Sequence, residues 1–288
     1  MKFEGWYYKH QANGKSFAAI PGRAAGGAFV LVITDDGSYH IPYSSREYQK
    51  NGDILRVGDN IFSPRGVKLN INRPELTLIG EIAYSDLTPI KGDIMGPFSF
   101  FPMECRHGII SMNHKLRGAI TINGEVQDYT GGKGYIEADS GRSFPSEYTW
   151  VHSNDFGNDF DKNLSVMVAV ARIPFYGLKF WGCICVVHLN GREYRLATYK
   201  GVKISRCKPG IISLKQGKHR LDIAIDPKTS HKGMRQLPAP RLGAMSHHIR
   251  ENISCRARFR FTDGNHILFD EISNGASYEY EMKNQSLR

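Results

Sequence analysis

No stretch of this 288-residue chain is apolar for long enough to cross a membrane as a helix. The longest runs, Ala28–Ile33 and Phe180–Leu189, stop far short of the ~20 residues that a span needs. The opening Met1-Lys2-Phe3-Glu4-Gly5-Trp6 holds no apolar signal core, so an unexported, cytoplasmic chain is expected. Cysteine is scarce and odd in number. The five (Cys105, Cys183, Cys185, Cys207 and Cys255) follow no framework spacing, which argues against a disulfide scaffold and for free thiols. Cys183 and Cys185 would share one face of a strand, but no further ligands stand near them, so they read as small core residues. Segments of helical period longer than two or three turns are missing too. So is a Gly-x-Ser-x-Gly elbow, and Gly131-Gly132-Lys133-Gly134 lacks the spacing and the following helix of a phosphate loop. His247 and His248 would point to opposite sides of a strand, which excludes a ready metal pair.

What is present is strand. With 41% hydrophobic and 23% charged residues the composition is globular, which excludes a disordered chain. Short apolar or alternating runs recur at Phe29–Ile33, Tyr39–Tyr43, Val67–Ile71, Leu76–Tyr84, Ile109–His114 and Ala119–Ile122. They continue at Tyr148–His152, Ser165–Arg172, Trp181–Leu189, Glu193–Ile204, Arg220–Ile225, Cys255–Phe261 and His266–Glu271. Between or beside them stand Asp36-Gly37, Asn51-Gly52, Asn123-Gly124, Asn190-Gly191, Asp263-Gly264 and Asn274-Gly275. Such dipeptides specify tight hairpins because their residues accept positive φ. The expectation is an all-β protein of two antiparallel barrels or sandwiches. Residues 1–140 and 141–288 would form the two, meeting at a Gly-rich, loop-like stretch from Asp128 to Pro145 that follows an Ile109–Ile122 hairpin. A ligand would sit in a barrel mouth or at that junction.

The net charge of +10 is concentrated. From Lys200 to Arg260 there are 15 Lys and Arg against 3 Asp and Glu. An excess of this kind can meet nucleic acid, an anionic membrane surface or an acidic ligand. Yet Arg256-Ala257-Arg258-Phe259-Arg260-Phe261 alternates like a strand with one solvated face, and no nucleic-acid motif accompanies it. Nucleic acid is therefore not expected, and peripheral contact with an anionic membrane surface is the partner that the basic C-terminal half allows.

Two stretches carry possible chemistry. In Phe3-Glu4-Gly5-Trp6-Tyr7-Tyr8-Lys9, alternation puts Trp6 and Tyr8 on one face and Phe3 and Tyr7 on the other. This is either an aromatic strand closing a barrel or a ligand wall. In Gly134-Tyr135-Ile136-Glu137-Ala138-Asp139, the phenol of Tyr135 and the carboxyls of Glu137 and Asp139 share one side if the segment is extended. On a dry side, desolvation and a like-charged neighbour keep a carboxyl protonated, as a general acid requires. In water the same residues are an acidic turn, with Glu137 paired to Arg142. A third stretch, Leu237-Pro238-Ala239-Pro240-Arg241-Leu242-Gly243-Ala244-Met245, reads as a Pro-x-Pro loop leading into a strand edge.

At these residues the chain resembles the tocopherol cyclase-like family over nearly its whole length. The landmarks are Phe3-Glu4-Gly5-Trp6-Tyr7-Tyr8-Lys9, Gly134-Tyr135-x-Glu137 with Ser143-Phe144-Pro145, Trp150-Val151-His152-Ser153-Asn154-x-Phe156, and the late Leu-Pro-Ala-Pro-x-x-Gly-x-Met. More distantly, Gly134-Tyr135-x-Glu137 looks like the Gly-Tyr-x-Asp block of carotenoid hydratases. The resemblance implies two lipocalin-like β domains side by side around an apolar pocket. It implies protonation of a prenyl alkene and capture of the cation by a phenol oxygen or by water, with no redox cofactor and no metal. Glu137 would be the acid, with Tyr135 orienting it and Asp139 beside it. Trp6, Tyr8, Phe144, Trp150, His152 and Met245 would line the site. The family pattern carries Lys where Ala138 stands, Trp where Ser140 stands and Gln where His152 stands. These departures imply a wider or wetter site, and hence another lipid or isoprenoid substrate, or a carrier that binds an apolar ligand without turnover.

Overall fold

The computed structural model describes residues 2–157, 163–175 and 177–282. Strands dominate, and they form two antiparallel sheets. The first is built from β1 (Phe3–Ala12), β2 (Lys15–Ala24), β3 (Gly27–Thr34), β4 (Ser38–Tyr43), β5 (Tyr48–Asn51) and β6 (Ile54–Val57). It continues with β7 (Asn60–Ser63), β8 (Gly66–Arg73), β9 (Leu76–Ser85), β10 (Cys105–Ile122), β11 (Glu125–Asp128) and β12 (Lys133–Gly141). The second holds β13 (Tyr148–Ser153), β14 (Leu164–Phe175), β15 (Leu178–Leu189), β16 (Arg192–Ala197) and β17 (Lys203–Lys208). After β18 (Ile211–Gln216) and β19 (His219–Ile225) come a one-turn helix α1 (Pro227–Lys232), then β20 (Arg235–Arg241), β21 (Ala244–Asp263) and β22 (His266–Glu281).

Both sheets follow one plan. In the first, the meander β4-β3-β2-β1 is joined through β12 to β10-β9-β8-β7-β6-β5. In the second, β16-β15-β14-β13 is joined through β22 to β21-β19-β18-β17. Each central strand thus pairs the start of its unit with strands much later in sequence. Neither sheet closes into a barrel among the described residues, since β4, β5, β16 and β17 remain edges.

The sequence explains most of this. Asn13-Gly14, Asn123-Gly124 and Asn190-Gly191 all have positive φ at both residues, the two-residue turn that matches strand twist. Two expectations are corrected. Ile109–Ile122 is not a hairpin but part of the single strand β10, whose apolar pattern breaks because its register against β12 shifts between Ile109 and His114. Asn274-Gly275 turns no corner: it lies inside β22, where the register against β21 slips between Cys255 and Ala257. The Gly-rich stretch around residue 134 is also more ordered than a loop, because β12 within it is a central strand.

By contacts the chain divides into two units, Met1–Ile90 with Cys105–Phe144 and Gln236–His248, and Lys91–Glu104 with Pro145–Arg235 and Ile249–Arg288. Each unit therefore includes a segment from the other half of the chain. The core of unit 1 packs Tyr8, Phe17, Val30, Phe62, Leu69, Ile120 and Ile136. That of unit 2 packs Val151, Val168, Leu214, Phe259 and Phe261 with Cys183, Cys185, Cys207 and Cys255. All five cysteines are free. Burial pushes the Cys183, Cys185 and Cys207 thiols up, that of Cys207 to about 12, so these three are core residues and not thiolates. No helix among the described residues is long and apolar enough to cross a membrane.

Candidate active site

β12 lies between β1 and β10, and cross-strand partners share a face. Glu137 stands opposite Tyr7 and Ile109, Tyr135 opposite Lys9, and Asp139 opposite Gly5 and His107. The alternate residue Ile136 pairs with Tyr8 and enters the core. The face bearing the two acids is thus the one turned away from the core of unit 1, and it is dry nonetheless. Tyr135 is 0% exposed, Glu137 6%, Tyr7 7% and Lys9 1%.

The side chains form a chain of polar contacts. Tyr135 donates its hydroxyl to Glu137 Oε2 at 2.5 Å. His107 Nε2 lies 3.4 Å from the same oxygen, and His107 Nδ1 lies 3.0 Å from Asp139 Oδ1. The Cys105 thiol approaches Asp139 Oδ1 at 3.7 Å. Accessibility rises along this row, from 8% for the Glu137 side chain to 22% for that of Asp139. Burial and, next, the Glu137 charge hold the Tyr135 phenol well above its ordinary range. Tyr135 therefore stays a hydroxyl donor and cannot serve as a phenolate base. The Tyr7 ring meets Tyr135 edge-on with centroids 6.4 Å apart. His107, Glu137 and Asp139 also offer one donor atom each within 4.8 Å of one another, a spacing that one divalent ion can bridge. His107 thus stands between the two carboxyls, hydrogen-bonded through Nδ1 to Asp139 and with Nε2 within ion-pair distance of Glu137.

The expected site residues divide into four groups. Tyr135, Glu137 and Asp139 come together on one face. Phe144 lies just beyond the end of β12, its ring 5.5 Å from that of Phe3 in an edge-on pair. Its amide donates to Pro240 O, while the amide of Leu242 donates to Ser143 Oγ. Two motifs a hundred residues apart in sequence thus meet within unit 1, and Met245 follows them, half-buried at the start of β21. Trp6 and Tyr8 do not join them. Pleating turns them to the opposite face, where Tyr8 packs on Phe62 and Trp6 lies under Lys50 Nζ at 4.3 Å. The aromatic residues beside Glu137 are Tyr7 and Tyr135 instead.

Trp150 and His152 belong to unit 2. Both are buried on β13 with rings 6.3 Å apart and nearly parallel. Trp150 pairs with Glu279, which accepts the Tyr148 hydroxyl at 2.5 Å and faces Glu251 across the strand pair. Unit 2 therefore holds a phenol–carboxylate pair of its own. Sequence reasoning missed it, along with His107, because only the pairings of β10 with β12 and of β13 with β22 bring these residues together. The one local signal was alternation: Cys105, His107 and Ile109 share a face.

Solved structures share this architecture. An AttH-type protein from Nitrosomonas europaea matches with a TM-score of 0.53 at 12% identity, covering 98% of this chain and 93% of its own. CghA, in its crystal structure with Sch210972, matches with a TM-score of 0.60 at 11% identity, covering 98% and 88%. Kievitone hydratase from Nectria haematococca matches with a TM-score of 0.52 at 10% identity, covering 98% and 89%. At such identities the likeness is one of fold. No curated protein sequence matches. The model of one family, described as tocopherol cyclase-like, does match, over residues 79–280, which include the whole Tyr135–Glu137–Asp139 strand and most of unit 2. The chain belongs to the tocopherol cyclase-like family.

Proposed function

We propose that this protein is an acid-catalysed cyclase or hydratase that protonates an alkene of a prenylated aromatic or other isoprenoid substrate, with Glu137 as the acid. The observation that carries this reading is the row Tyr135–Glu137–His107–Asp139, in which the buried Glu137 carboxyl stands within ion-pair distance of an imidazole that is hydrogen-bonded to the more accessible Asp139. Family membership supports a cyclase- or hydratase-like reaction class.

The steps balance without an oxidant or reductant. Glu137 gives its proton to one alkene carbon, and a tertiary cation forms at the other. The substrate's own phenol oxygen attacks that cation, closing the ring, and the phenol proton returns to the carboxylate. If water attacks instead, hydration results. Tyr135 keeps the carboxyl oriented through its 2.5 Å bond, and His107 and Asp139 let the carboxyl proton exchange with solvent between turnovers. Tyr7 and Tyr135 are the aromatic rings beside Glu137, and in this reading their faces stabilise the cation. The near-complete burial of Glu137 limits quenching by bulk water.

Product analysis in heavy water tests the reaction class. A panel of prenylated hydroquinones incubated with the protein in D2O is expected to give an isomeric product carrying one carbon-bound deuterium if the enzyme cyclises. A product heavier by one water marks hydration. Binding of these compounds with no product from any of them would replace the enzyme by an apolar-ligand carrier.

A further inference from the structure

The two most exposed large apolar side chains of unit 2 among the described residues stand at one place. The short 3-10 turn Gly96–Phe100 and the tip of the β14–β15 hairpin bring together Phe98, Phe101, Phe175 and Phe180, with neighbouring ring centroids 5.3–6.4 Å apart. On this aromatic base two side chains stand out into solvent, Phe100 at 89% exposure and Leu178 at 76%. From Ile94 to Met103 the sequence has no charged residue, and from Ile173 to Leu178 it has none either. An apolar patch of this kind on a water-facing surface costs solubility unless something covers it.

The patch is held rigidly. Arg195 donates to Asp93 O and Lys91 O, Tyr199 donates to Ile94 O, and the Tyr199 ring fills the space beside Gly96. The backbone of the turn is satisfied internally, with Phe98 N bonded to Met95 O, Phe101 N to Phe98 O and Met103 N to Phe101 O. Hydrocarbon exacts its heaviest cost from unsatisfied amides, and the amides of Phe98, Phe101 and Met103 already have partners. Exposed lysines flank the contributing segments in sequence: Lys91 opens the first, Lys179 follows Leu178, and Lys200 follows Tyr199. The nearby acids are engaged. Asp93 caps the Met95 amide, and Glu193 is bonded to Arg195 and to the Lys91 amide.

We propose that this aromatic tip is a membrane-docking surface, inserting Phe100 and Leu178 into the interfacial region of an anionic bilayer while Lys91, Lys179 and Lys200 meet the headgroups. Aromatic side chains with flanking lysines are the chemistry of the water–lipid boundary. The basic strands β17 and β18, with Lys203, Arg206, Lys208 and Lys215 exposed, supply longer-range attraction to the same surface. A bilayer fits better than a second copy of the chain, because a two-fold self-contact would set these lysines against their own mates. The proposal is independent of the chemistry at Glu137.

Co-sedimentation of the full chain with vesicles tests it. Binding to vesicles of phosphatidylcholine mixed with phosphatidylglycerol is expected, with weaker binding to phosphatidylcholine alone and loss in high salt. Phe100→Ser and Leu178→Ser are both at exposed positions and should fold, and each is expected to weaken binding about tenfold, as removal of a buried apolar side chain implies. Lys179→Glu should weaken binding to the mixed vesicles only. Equal binding by wild type and the Phe100→Ser/Leu178→Ser variant would overturn the proposal, as would no binding to either vesicle. A concentration-dependent dimer that Phe100→Ser abolishes would assign the patch to self-association instead.

Discussion

Inside the core of unit 1, two histidines are held neutral by their surroundings. His10 is fully buried, stacks on Phe17 at 4.2 Å between ring centroids and is hydrogen-bonded to the Tyr84 hydroxyl at 2.6 Å. His114 lies 4.4 Å from the Tyr84 ring and makes a 3.2 Å contact with Ser111. Burial lowers His114 to about 3, and burial followed by the neighbouring His114 pushes His10 well below its ordinary value. In the unfolded chain both would take up a proton near pH 6.5. Between about pH 3 and pH 6.5 the unfolded state therefore binds more protons than the native one, and stability falls as pH falls through that window. His114 alone should remove about 2 kcal/mol between pH 7 and pH 5, at about 1.4 kcal/mol for each pH unit below 6.5. Urea denaturation at the two pH values checks this. His114→Gln is expected to be less stable at pH 7 but to show a shallower pH dependence, and an unchanged slope would contradict the account. Gly134 belongs to the same arrangement, since a Cβ there would run into the His114 ring.

At the scale of strands, what decides the candidate site is pairing. Gly80 on β9 and Gly118 on β10 have φ of 142° and 137°, and a Cβ on either would strike a carbonyl oxygen of the other's strand. They let two adjacent strands approach and coil where an L side chain could not. Gly118→Ala should cost about 1–3 kcal/mol from backbone strain, with more from the collision. Gly124→Ala, also at positive φ but in open space, is the control and should cost less. Equal shifts in melting temperature for the two variants would remove the role given to close approach. This scale also separates what the sequence disclosed from what it withheld. Hairpins joined by Asn123-Gly124 or Asn190-Gly191 are legible because a two-residue turn and flanking alternation are local. The common face of Tyr135, Glu137 and Asp139 is legible for the same reason, since a pleat has period two. The side on which Tyr7 rather than Tyr8 joins them is not, because it depends on Tyr7 pairing with Glu137 across the β1–β12 ladder. His107 is invisible in the same way, thirty residues from Glu137 in sequence but a neighbour through β10.

At the scale of the whole chain, contiguous halves and compact units differ. Lys91–Glu104 is held in unit 2 by Arg195, Glu193 and Tyr199. Gln236–His248 is held in unit 1 by backbone bonds from Ala25 to Gly243, from Gly243 to Arg142 and from Phe144 to Pro240. The second exchange gives the late Leu-Pro-Ala-Pro segment a physical role, because it braces Ser143 and Phe144 just beyond the end of the strand that carries Glu137. Composition could show that two β units were present, but not that each takes a segment from the other half. The all-β plan, the family and the buried acid row together support one central claim, that Glu137 is a proton donor. Its most direct test is the steady-state kinetics of Glu137→Gln on a prenylated hydroquinone that the wild type converts, alongside binding of an unreactive saturated analogue. The account predicts a fall in kcat of about 10²- to 10⁴-fold with affinity for the analogue nearly unchanged. Turnover by Glu137→Gln at the wild-type rate would contradict it.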